Sequence, residues 1–258
     1  MTSWWDKQIN RAKVLADKSD ASQPLVQFYG HLLTSQKEIY ENLHRHQPSG
    51  KPETDFAFLA TKLQSFLHTV QKHGPAPLAV EAQSLAQSTN RLIEVLIEYW
   101  DDRKDVQFFG KACLQPYLKF LSDTPVSFAG RGQADVENRC PFCGGRPQVA
   151  FFENKEQNAD AGTRYLLCGT CLTSWEFRRV VCANCTEEEP AKLGYFQSAE
   201  FDHVRIEACD TCKRYIKGVD LTRLGHAVPL VDEIHAAALD LWAQERGYKK
   251  IELNLVGV

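Results

Sequence analysis

No run of about 18 consecutive apolar residues occurs in the 258-residue sequence, so a membrane-spanning helix is not expected. The first residues, Met1 to Asp6, contain no basic segment followed by an apolar run, so a secretory signal is not expected either. These two absences predict a cytoplasmic protein.

The sequence also lacks an excess of charge of either sign. The formal net charge is −3, and residues 140–218 contain ten Lys or Arg against eleven Asp or Glu. Binding to phosphate groups requires a basic stripe, so nucleic acid and membrane surfaces are not expected as partners. Phosphate loops, dinucleotide fingerprints and nucleophile elbows are absent as well, which leaves no motif for small-molecule catalysis and predicts that the protein is not an enzyme.

Cysteine is scarce in the first half of the chain. Only Cys113 precedes residue 139, and it lies on an apolar helical face where a buried thiol is expected. The other eight cysteines occur later, in Cys-x-x-Cys pairs, a spacing that in a cytoplasmic chain is typical of metal sites rather than disulfides. This change of composition predicts a boundary, with the Pro-, Gly- and polar-rich segment from Ser122 to Gln133 as a linker.

The first part of the chain, residues 1–130, has the pattern of a helical bundle. Apolar residues recur at helical spacing in stretches that begin at Leu25, Phe56, Leu78 and Phe109, and a shorter stretch begins at Trp5. Pro24 precedes the first of these stretches. Four or five packed helices are therefore expected, the last of them containing a proline at position 116.

The second half repeats itself. The four pairs are Cys140 and Cys143, Cys168 and Cys171, Cys182 and Cys185, and Cys209 and Cys212. The third pair follows the first by 42 residues, and the fourth follows the second by 41. Such a repeat indicates one metal unit present twice. Four redox or structural pairs without metal would not explain the matched spacing.

The spacing between the pairs indicates which of them share a metal. The loop between the first and second pairs has 24 residues and that between the third and fourth has 23, whereas only 10 residues separate the second from the third. Loops of 23 or 24 residues suit a β-hairpin, so we expect the first two pairs to bind one metal and the last two another. A cross-braced arrangement, in which the pairs interleave, stays open.

The residues between the pairs favour two small ribbons. Apolar segments at 149–152, 165–167, 193–196 and 204–206 are expected to be strands, and the first polar loop between them contains Asn158 and Asp160. Gly144 follows the first pair and accepts a left-handed backbone. The predicted units cover residues 137–180 and 181–220. Four thiolates accept zinc or iron, and the residues do not separate the two metals.

A further helix and an apolar tail are expected over residues 228–258. Pro229 begins the helix and Gly247 ends it. The fold class expected from the whole sequence is α+β: a helical bundle, two tandem rubredoxin-like or zinc-ribbon units of four cysteines each, and a C-terminal helix.

One long motif resembles that of a known family. It reads Gly162-Thr163-Arg164-Tyr165-Leu166-x-Cys168-x-x-Cys171-x-Thr173-x-Trp175-x-x-x-Arg179-x-x-Cys182-x-x-Cys185. This pattern is similar to the formate dehydrogenase accessory protein family, FdhE, and the resemblance extends from about Cys140 to Tyr248. Two departures are that Ser174 stands where the family often has glutamate, and that the chain is short for the family.

The resemblance implies a function and a cofactor. It implies a cytoplasmic maturation factor, chaperone-like, that binds the catalytic subunit of formate dehydrogenase and is required for its activity. It also implies that all eight paired cysteines are ligands of two metal ions, and it favours iron, with zinc as the alternative. A homodimer stays open.

Three hypotheses follow. The first is the maturation factor, the second a rubredoxin-type electron carrier, and the third a zinc-ribbon protein that binds nucleic acid, against which the charge balance argues. For the first, we expect the partner to contact Thr173, Trp175 and Arg179, because an exposed aromatic residue and an arginine are common interface anchors. The alternative for Trp175 is a core position between the two ribbons.

Overall fold

The first part of the protein is helical. The computed structural model describes residues 3–18, 20–104, 107–126, 136–154 and 162–258. Within them, seven helices precede the first strand: α1 (Trp4–Ala16), α2 (Gln23–His46), α3 (Pro52–Thr61), α4 (Gln64–His73), α5 (Ala76–Ala86), α6 (Thr89–Asp101) and α7 (Phe108–Asp123). None of the described helices is long and apolar enough to cross a membrane. Part of the expected linker, at 127–133, and the loop residues Asn158 and Asp160 lie outside the described residues.

The helices outnumber the four or five expected because two of the apolar stretches are interrupted. The stretch that begins at Leu78 divides where the Ser88 side chain accepts a hydrogen bond from the Arg91 amide and so caps a new helix, α6. The stretch that begins at Phe56 divides between α3 and α4, where Leu63 is fully buried. Pro116 lies inside α7 without ending it, and Cys113 is a buried core residue as expected.

The second part is built on one mixed sheet. Its strands are β1 (Pro147–Glu153), β2 (Thr163–Cys168), β3 (Ser174–Glu176), β4 (Leu193–Gln197), β5 (Val204–Cys209), β6 (Arg214–Asp220) and β7 (Lys249–Lys250). Their order is β3-β2-β1-β6-β5-β4, with β7 beside β6. Each repeat is an antiparallel three-stranded unit, and the units join where Val149 on β1 lies opposite Lys217 on parallel β6.

The two faces of the sheet have different coverings. Alternate residues such as Val149, Tyr165 and Ile206 belong to the large core shared with the helices. On the opposite face, Leu166 and Ile216 form a small core with Phe177 and Val181. Residues 177–181 therefore cross this second face on their way from β3 to the third cysteine pair, and we call it the outer face.

The chain ends in two helices where one was expected. They are α8 (Pro229–His235) and α9 (Ala237–Glu245), divided at Ala236, whose ψ of 36° departs from helical values. The expected fold class is confirmed in its parts: a helical N-terminal region, two clusters of four cysteines on a sheet, and a helical C-terminal segment.

An ion-pair network fixes α8 between the helices and the sheet. Arg11 of α1 donates to both carboxylate oxygens of the fully buried Asp232, and His203 Nε2 lies 2.9 Å from Asp232 Oδ1. Burial alone would raise the pKa of Asp232, but the hydrogen bonds from His203 and Arg11 outweigh it and hold the pKa below its usual value. This carboxylate therefore links the first helix to the C-terminal one.

Candidate metal centres

All four cysteine pairs adopt one local geometry. The residue that follows the second cysteine has a positive φ in every pair: 71° at Gly144, 60° at Leu172, 59° at Thr186 and 54° at Lys213. In each pair the amide of that residue donates to the carbonyl of the first cysteine, over 2.8 to 3.2 Å. The left-handed conformation expected at Gly144 is therefore present, and three non-glycine residues adopt it as well.

The eight paired cysteines form the two groups of four that the repeat predicts. In each group, one sulfur atom from every cysteine lies within 4.8 Å of the other three. The first group contains Cys140, Cys143, Cys168 and Cys171, and the second contains Cys182, Cys185, Cys209 and Cys212. The pairs do not interleave, and none of the eight sulfurs forms a disulfide.

The sulfur positions suit a tetrahedral metal ion. In the first group, 3.4 Å separates the sulfurs of Cys140 and Cys171. In the second group, 3.7 Å separates those of Cys182 and Cys212. Metal–sulfur bonds of about 2.3 Å around a tetrahedron place sulfurs about 3.8 Å apart. Both groups could therefore hold one ion each, and four thiolates would fill its coordination sphere.

A bound cation would also stabilise the ionised form of these thiols. Burial raises the pKa of Cys171 and of Cys182 above that of a free thiol, so neither would ionise readily by itself. A bound divalent ion stabilises the thiolate form. Backbone amides assist, because Thr170 N–H lies 3.3 Å from Cys168 Sγ and Asn184 N–H lies 3.4 Å from Cys182 Sγ.

The first group is enclosed by the helical region. Arg103 donates to the carbonyl of Cys143 over 2.7 Å, and Gln115 donates to the carbonyl of Gly169 over 2.7 Å. A Cβ atom at Gly145 would lie 2.8 Å from Cys168 Sγ, so only glycine fits beside this cluster. All four sulfur-bearing residues of the group are buried. The Tyr99 hydroxyl of α6 lies 3.4 Å from the Thr170 hydroxyl, so α6, the segment after it and α7 all contact the loops that carry the ligands.

The second group is open on one side. Cys185 is exposed and Cys212 is partly exposed, whereas Cys182 and Cys209 are buried. Glu187 accepts a hydrogen bond from Thr211 over 2.5 Å and so joins the loops of its two pairs. The two groups therefore share a geometry and differ in their access to solvent.

The three residues expected to bind a partner lie on or beside β3. Thr173 and Trp175 are partly buried, and the Trp175 indole N–H donates to the Glu137 carbonyl over 2.9 Å. Trp175 also packs against both apolar cores, which agrees in part with the alternative of a core position. Arg179 is exposed, donates to the Gly162 carbonyl and lies over the Phe152 ring.

Sequence reasoning did not identify a cationic cluster on the outer face. Arg164 and Arg205 each precede a cysteine of the second pair of their unit by four residues, so they are equivalent in the repeat. Both donate to Glu207, Arg164 over 2.5 Å and Arg205 over 2.9 Å. Arg205 also lies 4.1 Å from the Phe152 ring centroid. The repeat itself was the signal that could have drawn attention to these two arginines.

A second unexpected feature is a buried cluster of four charges. Lys217 of β6, Lys250 of β7, Glu233 of α8 and Asp240 of α9 are all inaccessible to solvent. Lys250 Nζ lies 2.6 Å from Glu233 and 3.6 Å from Asp240, and Lys217 contacts both carboxylates. Burial by itself would raise the pKa of Asp240, yet the two ammonium groups hold it below its usual value. We call these four residues the charge quartet.

Known proteins match this chain over both parts of the fold. Residues 139–179 match the family model described as "FdhE, central domain", and residues 180–256 match "FdhE, C-terminal domain". The Protein FdhE homolog of Aquifex aeolicus is 32% identical over 96% of this chain and 94% of its own length. The homolog of Pseudomonas aeruginosa is 33% identical over 47% of this chain and 41% of its own length.

A solved structure has the same fold. The crystal structure of the FdhE protein from Pseudomonas aeruginosa superposes with a TM-score of 0.66 at 22% identity, and the match covers 98% of this chain and 95% of that one. The family models and the relative from Aquifex aeolicus agree with the motif from which the resemblance was drawn. The chain belongs to the FdhE family.

Proposed function

We propose that this protein is a cytoplasmic maturation factor that binds the catalytic subunit of formate dehydrogenase and is required for its activity, without converting formate itself. The observation that carries the proposal is membership of the FdhE family at 32% identity over 96% of the chain. The candidate sites support it, because a metal ion held by four thiolates has no open position for a substrate.

In this proposal the eight paired cysteines are the ligands of two metal ions, and the family resemblance favours iron. The metal stabilises the loops that carry the cysteines in each unit. Zinc would restrict the sites to this structural role, whereas iron would allow electron transfer as well. The test is elemental analysis of protein purified without oxygen, together with its colour, because iron in four thiolates absorbs visible light and zinc does not.

The partner surface in the proposal includes Thr173, Trp175 and Arg179. Arg179 has the strongest support, because it is exposed and forms no ion pair within the ranges that the structure describes. Trp175 fixes the position of this surface, because it packs against the small core that contains Phe177. An exposed, uncompensated guanidinium is available for a carboxylate of the partner.

Deletion and complementation test the function. A strain without this protein should produce the formate dehydrogenase polypeptide in an inactive form, and the intact gene should restore activity. Arg179→Ala should restore it poorly while both metals stay bound. Arg91→Ala is the matched control, because Arg91 is an exposed arginine on a helix and its partners Glu94 and Glu98 are exposed too. Full enzyme activity in the deletion strain would refute the function, whereas full rescue by Arg179→Ala would refute only the surface.

One observation favours a second function, electron transfer. Cys185 is exposed and Cys212 partly so, which would bring an iron ion in the second group close to a redox partner. Reversible bleaching and recovery of the iron absorption, at a potential unchanged by the presence of the catalytic subunit, would favour the carrier. A colourless zinc protein that supports full maturation would exclude it.

A further inference from the structure

The two edges of the sheet differ in how well they are protected from pairing with another strand. Among the described strands, β3 and β4 are the outermost. The β3 edge has three residues, includes the charged Glu176, and is fixed to the chain at Glu137 through Trp175. The β4 edge has five residues, Leu-Gly-Tyr-Phe-Gln, with no charged residue and no proline. Natural proteins usually protect an edge strand with charge, proline or short length. Strand β4 has none of these protections, and binding of another strand would explain its exposure.

The hydrogen-bond pattern shows which backbone groups of β4 point outward. The Asp210 amide donates to the Lys192 carbonyl over 2.9 Å, which sets the phase of the antiparallel ladder. Gly194 and Phe196 therefore exchange hydrogen bonds with β5, while Tyr195 and Gln197 direct their N–H and C=O groups away from it. Within the described ranges, no backbone group pairs with the outward amides of Tyr195 and Gln197.

The side chains of β4 are exposed on both faces of the sheet. On the helical face, Phe196 is 36% exposed and its ring lies 4.6 Å from the Trp242 ring. On the outer face, Tyr195 is 45% exposed and the Arg205 guanidinium lies 5.3 Å from its ring. An added strand would place alternate side chains on these two faces, one apolar and one cationic.

The outer face beside β4 carries excess positive charge. Arg205, which is partly exposed, shares the buried carboxylate of Glu207 with the buried Arg164, so that one carboxylate faces two guanidinium groups. Arg179 adds a third guanidinium above Phe152 of β1, and its backbone carbonyl accepts a 3.5 Å hydrogen bond from the Tyr195 hydroxyl, so the Tyr195 side chain extends from β4 to Arg179 across the outer face. The side chains that would meet this face in a bound segment are therefore expected to be acidic.

From this arrangement we propose that the β4 edge binds an extended segment of the client polypeptide, with apolar and acidic residues in alternation, as an added antiparallel or parallel strand. The proposal rests on the proposed function, of which it specifies the contact. The edge is about 17 Å long, which is short for a stable dimer that buries about 1,200–2,000 Å². A short backbone-paired contact suits a client that is bound and later released.

The test uses the full chain with its metals. The probes are the purified catalytic subunit of formate dehydrogenase and an array of overlapping 12-residue peptides that cover its sequence. Gln197→Pro removes one outward amide and leaves the ladder with β5 intact, since proline is tolerated at such edge positions. Its matched control is Gln197→Ala, which removes the side-chain bond to Asp202 alone. We expect Gln197→Ala to change Kd less than threefold and Gln197→Pro to raise it at least tenfold.

A second measurement does not depend on the folding of a variant. N-methylation of a bound peptide, one amide at a time, should weaken binding at least tenfold at alternate positions and little at the others. Replacement of the acidic residues of that peptide by their amides should weaken its binding to the wild-type protein but not its binding to the Arg179→Ala variant.

The outcomes separate the two proposals. Equal affinity of wild type and Gln197→Pro for the catalytic subunit, or an N-methyl scan without alternation, would overturn the edge and leave the proposed function intact. A wild-type protein that does not bind the catalytic subunit at all would overturn the proposed function. A dimer in sedimentation that Gln197→Pro dissociates would assign the edge to a second copy of this chain and overturn the client segment.

Discussion

The charge quartet allows a stability prediction with a defined magnitude. Lys217→Met keeps an unbranched side chain that is one atom shorter and removes one of two buried ammonium groups. Lys250 then faces both Glu233, at 2.6 Å, and Asp240, at 3.6 Å, and one negative charge is left without a partner. Removal of one partner from a buried ion pair costs about 3–5 kcal/mol of unfolding free energy. For a chain of this size the melting temperature should fall by about 6–20 °C.

The pH dependence identifies the cause of that loss. In wild type, the pKa of Asp240 is below its usual value because of Lys217 and Lys250, so its contribution to stability is present above that usual value and lost as the pH falls below it. In Lys217→Met, the unpaired carboxylate binds a proton more tightly in the folded state. Its folded pKa therefore lies above its unfolded pKa, and the variant should lose stability as the pH rises from about 4 to 8.

Urea unfolding at pH 5 and pH 8, with both metals bound, measures these differences. The matched control is the double variant Lys217→Met/Asp240→Asn, which again has equal numbers of buried positive and negative charges. It should recover at least half of the lost free energy, and its stability should depend little on pH. A loss below about 1 kcal/mol in Lys217→Met, or a loss that does not change between the two pH values, would show that the quartet does not act as a balanced set of charges.

Three further predictions concern the metal centres. Elemental analysis of protein purified without oxygen should give two metal ions per chain, and one or none in folded protein would contradict the assignment of both groups. Gly145→Ala should weaken metal binding at the first group at least tenfold in a chelator competition, because its Cβ would lie 2.8 Å from Cys168 Sγ, whereas Gly225→Ala, with its nearest atom at 3.8 Å, should leave both sites unchanged. On acidification, both metals should dissociate at about pH 4–6, because the thiolates bind protons. The ion pair between Arg11 and Asp232 should break only at lower pH, because the pKa of the Asp232 carboxyl is held below its usual value. Loss of helical circular dichroism together with metal release would contradict the separation of the two steps.

Local chemistry made the cysteine groups predictable from sequence. The Cys-x-x-Cys spacing and the glycine at position 144 each act within a few residues, and the matched loops of 24 and 23 residues predict which pairs combine. The structure brings the sulfurs together in the two predicted groups. That each group binds a metal ion stays a prediction. The splitting of the stretch that begins at Leu78 is also local in origin, and the serine at position 88 is a recognisable helix cap.

Long-range pairing could not be predicted in the same way. The parallel contact between β1 and β6 joins residues such as Val149 and Lys217, which are far apart in the sequence and carry no shared local signal. The charge quartet could not be predicted from the sequence for a related reason. Lysine and glutamate are usually exposed, and only the docking of α8 and α9 on β6 and β7 makes Lys217 and Glu233 a buried pair.

The duplication explains how two similar cysteine groups come to have different surroundings. Both units place their cysteines in the same local geometry, since all four pairs share the positive φ and the same amide-to-carbonyl bond. The order β3-β2-β1-β6-β5-β4 repeats the three-stranded unit side by side, so only one unit can lie at each edge of the sheet. The first unit contacts α6 through Tyr99, the segment after α6 through Arg103, and α7 through Gln115, which encloses its cysteines.

The second unit keeps its outer strand and Cys185 accessible as a consequence of this placement. Leu193, at the start of β4, lies opposite Cys209, so a segment bound along β4 would end beside the second metal group. A client bound on β4 and a metal ion in the second group would therefore meet at this end of the sheet, whereas the first group is enclosed by the helical region. Exchange of added isotope-labelled metal should therefore be faster at the second group, and a bound client peptide should slow it there and not at the first. Equal exchange rates at the two groups would show that enclosure by α6 and α7 does not distinguish them.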